Sequence, residues 1–296
     1  MANKEHQFRP RLNSKEMELI NSFRAGDVIF KSGKPSDPKT PAKILIFDIE
    51  TAPLKAYVWG IWQQNVGTNM LIDEWYMLSW AAKWLFEDGT FGEVLTSEES
   101  LAQDDKRISK GMWDLLDEAD IVVGHNIDKF DIKKLNTRFA VHGFAPPMPY
   151  KTVDTLKAAR TNFKFSSNKL DYLNEIFEIE RKMSTGGFDL WVGCMEGKEE
   201  SLKTMLEYNM QDISASEDLY LRILPWIKNH PNMGLYINDD IERCPNCGSE
   251  VLEWETGTYY TGVSAFKAYR CNHCEAIGRS RKAIKENKVS TCGIRK

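Results

Sequence analysis

The chain has 296 residues, 42% hydrophobic and 28% charged, with 39 Lys/Arg against 43 Asp/Glu for a formal net charge of −4. These are ordinary values for a soluble globular protein. No apolar run approaches the roughly 20 residues of a membrane span, and the opening MANKEHQFRPRL lacks the apolar core of a secretory signal, so the expected location is the cytosol.

Residues 1–43 are read as an arm and linker. Ser14–Arg24 has the spacing of a short helix, with Met17, Ile20 and Phe23 on one side, and SGKPSDPKTPAK (32–43) carries three prolines. The large domain, expected over 44–228, begins with Ile44-Leu45-Ile46-Phe47, an apolar run typical of a buried central strand. Further strands are expected at Met77–Leu85, Gly92–Thr96, Asp120–Gly124 and Lys151–Thr155. Helices are expected at Ser109–Glu118, Ile132–His142, Leu170–Phe177 and Leu202–Ile227. Strands first and then alternating strand and helix imply an α/β sheet covered by helices. NHPNMG breaks the last helix within a second linker, 229–243, and a small module with a basic tail occupies 244–296.

Three acidic groups stand out. In FDIET, Asp48 and Glu50 lie two apart at the end of a strand and so share a face. In VVGHNIDKFD, a hydrophobic strand runs into Asn126 and Asp131 opens a helix; in LEYNMQD, Tyr208 and Asp212 are one helical turn apart. Alone, Asp131 reads first as a helix cap, and only its partnership with the other motifs reverses that; core packing is the lesser reading of Tyr208. Asp154 in VDTLKAAR reads as an N-cap rather than a ligand, and His125 as structural. Carboxylates clustered though distant in sequence suit Mg²⁺ or Mn²⁺, hard cations that take oxygen ligands and keep waters.

Together, D-x-E, N-x4-D and Y-x3-D resemble the three exonuclease motifs of the DnaQ-like superfamily, in its tyrosine-containing branch. GHNIDKFDIKKL and VDTLKAARTNFKFSSNKLDYL resemble proofreading domains of family B DNA polymerases and their stand-alone relatives. The resemblance covers about Ile44–Ile227. It implies an RNase H-like mixed sheet flanked by helices and 3′→5′ release of nucleoside monophosphates from single-stranded ends, DNA favoured over RNA. It also implies that Asp48, Glu50, Asp131 and Asp212 hold two Mg²⁺ or Mn²⁺ ions and that Tyr208 orients the attacking water. Thr51 and Asn126 are candidate substrate contacts, although Asn126 reads equally as a backbone partner at the strand end. No polymerase domain is expected after the module, so proofreading would need a polymerase or other replication or repair protein in trans. A catalytically idle nucleic-acid-binding protein, an RNase or a structure-specific nuclease are the other readings of this scaffold.

Outside the metal site, Tyr57–Trp84 carries Trp59, Trp62, Trp75, Tyr76, Trp80 and Trp84, of which some could stack on bases while most fill core. Lys164, Lys169 and Lys182 are weaker phosphate candidates. Four of the six cysteines form C-x2-C-x23-C-x2-C at Cys244, Cys247, Cys271 and Cys274, the pattern of a structural zinc ribbon, with one Zn²⁺ expected. The second pair departs from the usual pattern, with Glu275 where a glycine often sits. Cys194 and Cys292 receive no role. From Glu275 onward seven Lys/Arg face two Glu, a basic end on an acidic chain and a possible handle for phosphate.

Overall fold

A computed structural model describes residues 42–179 and 187–284. The expected helix Ser14–Arg24, Lys182, Cys292 and the last four basic residues of the tail lie outside them. The described chain divides into two compact units, 43–220 and 221–284 with Ala42.

In the first unit, β1 (Ile44–Thr51) is the centre of a five-stranded mixed sheet. Its first four residues are buried, as a strand covered on both faces requires. A two-stranded hairpin, β2 (Lys55–Ala56) and β3 (Leu71–Asp73), follows it. β4 (Met77–Trp84) then pairs antiparallel with β1, and β5 (Phe91–Val94) with β4. On the other side β6 (Ile121–Gly124) and β7 (Lys151–Asp154) continue the sheet in parallel, giving the order β5-β4-β1-β6-β7.

The helices bury apolar residues at helical spacing. α1 (Ser97–Ala102) is closed by a capping box between Thr96 and Glu99. α2 (Lys106–Glu118) buries Ile108, Met112 and Leu116, and α3 (Asp131–Val141) buries Leu135 and Phe139. These side chains join Leu45, Phe47 and Ile49 in the main core. α4 (Thr155–Asn162), α5 (Leu170–Ile176), α6 (Asp189–Met195) and the 25-residue α7 (Glu199–Ile223) complete the set. The architecture is the expected RNase H-like mixed sheet flanked by helices, and every expected strand and helix from Ile44 onward is present. α2 starts three residues before the expected Ser109. The helix expected to end at Ile227 stops at Ile223 and tightens into a 3-10 turn at Leu224–Trp226, where Pro225 removes an N–H.

In the second unit, β8 (Leu252–Tyr260), β9 (Ala265–Cys271) and β10 (Ile277–Ala283) form an antiparallel sheet in the order β10-β9-β8. The two cysteine turns precede β8 and link β9 to β10. No described helix is long and apolar enough to cross a membrane.

Candidate active site and metal centre

Alternation along β1 puts Leu45, Phe47 and Ile49 into the core and Ile46, Asp48 and Glu50 on the opposite face. On β4 the residues paired with Asp48 and Glu50 are the small Ala81 and Ser79, which leave room above the two acids. Asp131, the first residue of α3, is 2% exposed, and its Oδ1 accepts a hydrogen bond from the Ile49 backbone N–H at 3.3 Å. Its carboxylate is therefore seated against the backbone between Asp48 and Glu50. Burial pushes the Asp131 carboxyl up to about 7; the N–H groups of Asp131 and Ile49 oppose the rise and the charge of Glu50 adds to it.

The fourth acid comes from α7, and two contacts fix where that helix lies. Asn209 donates to Ser79 Oγ at 3.2 Å, and Lys83 pairs with the buried Glu217 at 2.5 Å. Ser79 and Lys83 stand opposite Glu50 and Ile46, so they lie on the Asp48/Glu50 face. Four strand residues and eight helix residues each span about 12–13 Å, so α7 runs along β4 across that face. Asp212, buried and three residues beyond Asn209, lies in the turn between the two contacts. Tyr208 is also buried, with its ring 6.5 Å from that of Trp191 at 72°. Burial, with Glu50 as the second cause, pushes the nearby Cys194 thiol up to about 12, which fits an inert packed cysteine.

Beside the acids is a cleft of about 490 Å³ lined by residues 51–54, Trp75, Lys134, Gly187, Phe188 and Trp191. Lys134 sits one turn after Asp131. Its Nζ donates to Thr51 Oγ1 at 2.9 Å and lies 3.9 Å from the centre of the Trp75 ring, and burial lowers its pKa. Sequence reasoning singled out Thr51 but missed Lys134, Phe188 and Trp191 as its neighbours. The i+3 spacing from Asp131 was the available signal for Lys134; no local pattern links Trp191 to β1.

The other expected residues divide clearly. Asp154 is an N-cap, as expected: its side chain accepts from the N–H groups of Lys157 and Asn126 at 3.1 Å. Asn126 adopts φ 67°, a left-handed turn that asparagine tolerates, and its carbonyl receives the N–H groups of Lys129 and Phe130. His125 is held between Thr155 Oγ1 and the Asn168 carbonyl, both at 2.9 Å. Of the aromatic stretch, Tyr76 and Trp80 fill core, Trp75 lines the cleft, and Trp59 and Trp62 are 98% and 80% exposed. Lys164 and Lys169 are exposed.

In the second unit the sulfur atoms of Cys244, Cys247, Cys271 and Cys274 all lie within 4.8 Å of one another, and all four residues are buried. The Cys244–Cys274 and Cys247–Cys271 separations are both 3.6 Å, far beyond a disulfide bond. A tetrahedral zinc–thiolate site with bonds of about 2.3 Å has edges of about 3.8 Å, so the four sulfurs fit such an ion. Asp48, Glu50, Asp131 and Asp212 offer the oxygen donors that hard divalent cations take. The carboxylates, which repel one another, form no comparably tight group among the described residues.

No curated protein sequence matches the chain significantly. A solved structure, that of the family B DNA polymerase from the hyperthermophilic archaeon Pyrobaculum calidifontis, is similar over 70% of this chain with 17% identity and a TM-score of 0.47. The match covers 31% of the polymerase, so the chain spans about a third of its length. The RNase H superfamily matches residues 45–224, well over half of the sequence and the whole segment that carries Asp48, Glu50, Asp131, Tyr208 and Asp212. By this match and by its fold, the chain belongs to the RNase H superfamily.

Proposed function

We propose that the protein is a 3′→5′ exonuclease that releases nucleoside monophosphates from single-stranded nucleic acid, with DNA favoured. The observation that carries this reading is the seating of Asp131 on the Ile49 N–H, between Asp48 and Glu50. Asp48, Glu50, Asp131 and Asp212 would hold two Mg²⁺ or Mn²⁺ ions. Such ions lower the pKa of a bound water and neutralise charge on the leaving oxygen.

The chain's own residues do the rest. The cleft takes the terminal nucleoside, its base against Trp75, Trp191 or Phe188, with Thr51 and Lys134 at the sugar–phosphate edge. Tyr208 orients the attacking water through its phenol; an ordinary free phenol ionises far above neutral pH and is a poor base there. Water adds to the terminal phosphorus as the bond to the preceding 3′ oxygen breaks, leaving a nucleoside 5′-monophosphate and a new 3′ hydroxyl. The four-cysteine cluster holds one structural Zn²⁺. A polymerase or repair protein acting in trans is the partner this activity would serve.

The test uses a 5′-labelled single strand, as DNA and as RNA, with and without Mg²⁺ or Mn²⁺. Shortening from the 3′ end only with the cation, abolished by Asp48→Ala, is expected. Internal cuts, 5′ trimming, or no hydrolysis with either cation would defeat the reading. Elemental analysis should give one zinc per chain, lost in Cys271→Ser.

A further inference from the structure

The sheet of the second unit has two unlike faces. One carries Trp254 and Tyr269, paired across β8 and β9 with ring centres 4.9 Å apart and planes tilted by 60°; Tyr269 is buried, and burial, with the neighbouring cysteines second, pushes its phenol pKa up. The other face is more open, as one side of a small antiparallel sheet commonly is, although Ala268 at its middle is buried and Phe266 half-buried. Its residues follow from the register. Phe266 stands opposite Tyr259 on β8 and Ala283 on β10, and Ala268 stands opposite Arg279. Alternation adds Arg270, which stands opposite Ile277 on β10 and the exposed Glu253 on β8; Arg281 falls in the irregular stretch between Arg279 and Ala283, where the register assigns no face.

A water-facing sheet surface normally carries scattered polar residues. Here the Arg279 guanidinium lies 3.9 Å from the centre of the Phe266 ring and 5.5 Å from that of Tyr259. Tyr259 is 50% exposed, and Arg270 and Arg279 are both exposed. Arg270 and Arg279 donate to the backbone carbonyls of Glu275 and Ser280. Fixed cations stacked with flat rings, on a surface rather than in a core, are the combination that grips a polynucleotide: phosphates meet the guanidinium groups and unpaired bases meet the rings.

We infer that this face, built from Tyr259, Phe266, Arg270 and Arg279, is a second nucleic-acid-binding surface that takes a stretch of single-stranded polynucleotide. The choice of polyanion rests on the nuclease reading; the surface itself rests only on the register and the arginine–ring stacking. Rings exposed beside a guanidinium select a strand with unpaired bases over an anionic membrane surface, which offers nothing flat to stack on; a second copy of the chain is an outcome of the test.

The test measures binding of a labelled single-stranded oligonucleotide, as DNA and as RNA, to the full chain carrying Asp48→Ala, with zinc retained and no Mg²⁺ added. Cleavage is then absent, so the result does not depend on whether the nuclease reading holds. Each phosphate contact contributes about 0.7 to the salt dependence, so Arg270→Gln with Arg279→Gln should lower the slope of log K against log salt by about 1.4. Tyr259→Ala, which changes no charge, should weaken binding about five- to a hundredfold. Lys267→Gln, which removes one charge from the opposite side of β9, is the control and should have a smaller effect than Arg279→Gln alone. Equal losses from Lys267→Gln and Arg279→Gln together with no loss from Tyr259→Ala would reduce the effect to diffuse charge and overturn the proposal. So would unchanged binding in all the variants, or a dimer in sedimentation that Tyr259→Ala dissociates. Zinc content of each variant identifies a misfolded unit, and Tyr259→Ala, with its side chain half in water, is the variant that keeps the test decisive.

Discussion

The Asp131 carboxylate hydrogen-bonds the N–H of Ile49, the residue that separates Asp48 from Glu50. A helix and a strand are thereby joined at the point where like charges are closest, with burial and Glu50 both disfavouring ionised Asp131. Without a cation that arrangement costs stability. Asp131→Asn keeps an acceptor for Ile49 and removes the charge. At pH 8 and without divalent ions it should melt at a higher temperature than the parent. Added Mg²⁺ should stabilise the parent and not the variant, and hydrolysis should fall roughly a hundredfold or more. A variant that melts lower, or that still gains stability from Mg²⁺, would remove Asp131 from the site.

Tyr208 separates positioning from packing. Tyr208→Phe keeps the edge-on contact with Trp191 and removes only the hydroxyl. If the phenol orients the water, kcat should fall by about 100-fold or more, in the range of a positioned proton-handling group, with thermal stability unchanged. Loss of stability in step with activity would instead make Tyr208 a core residue.

Local pattern made β1, the start of α3 at Asp131 and the cap at Asp154 legible, because each is written in adjacent residues: an apolar run, a polar residue opening a helical period, an acid three residues before a bonded N–H. What joins them was not legible. That α7 crosses the Asp48/Glu50 face depends on Asn209 meeting Ser79, 130 residues apart, and neither residue has a local signal. The cleft had the same obstacle: Trp75 read as one of six aromatics, and only the fold distinguishes it from the buried Trp80 and the bare Trp59. The arginine–ring face needed the strand register, since Arg279 and Phe266 are brought together only by β10 pairing with β9.

Stability of the first unit should hinge on Asp105. It is fully buried; one oxygen accepts from Arg138 and His142, each at 2.6 Å, and the other from the Met77 N–H at 2.7 Å. Asp105→Asn leaves Arg138 charged with no carboxylate beside it, and breaking a buried pair in this way costs about 3–5 kcal/mol. Urea unfolding should show that loss, and adding Arg138→Met should restore part of it. A loss under about 1 kcal/mol would mean that the pair is as solvated as a surface one.

His230 should make the second unit sensitive to mild acid. Burial pushes its pKa down to about 4, while the unfolded chain protonates near 6.5. Above 6.5 both states are neutral and nothing is lost. Between 6.5 and 4 only the unfolded state takes the proton, so stability falls with pH and levels off below 4, by about 3 kcal/mol in all. In zinc-loaded protein, denaturant unfolding followed by Trp254 fluorescence at pH 7 and pH 5 should show a larger drop for the parent than for His230→Gln. Equal drops would assign the sensitivity to the cysteines alone.

The two cysteine turns are built alike but not from equally suitable residues. Gly248 follows the first pair at φ 76° and Glu275 follows the second at φ 63°, and each N–H returns to the first cysteine of its pair, at 2.8 and 2.9 Å. A residue with a Cβ strains in this left-handed region, by about 1–2 kcal/mol, and glycine does not. Glu275 is exposed, so replacing it removes strain without opening a cavity. Part of the gain is offset by the extra freedom glycine has in the unfolded chain, about 0.4–1 kcal/mol. Glu275→Gly should therefore stabilise the zinc-bound unit by up to about 1 kcal/mol and slow zinc loss to a chelator, while Gly248→Ala should do the reverse. If Glu275→Gly lost zinc faster, the side chain would be supplying something at that turn that outweighs its backbone strain.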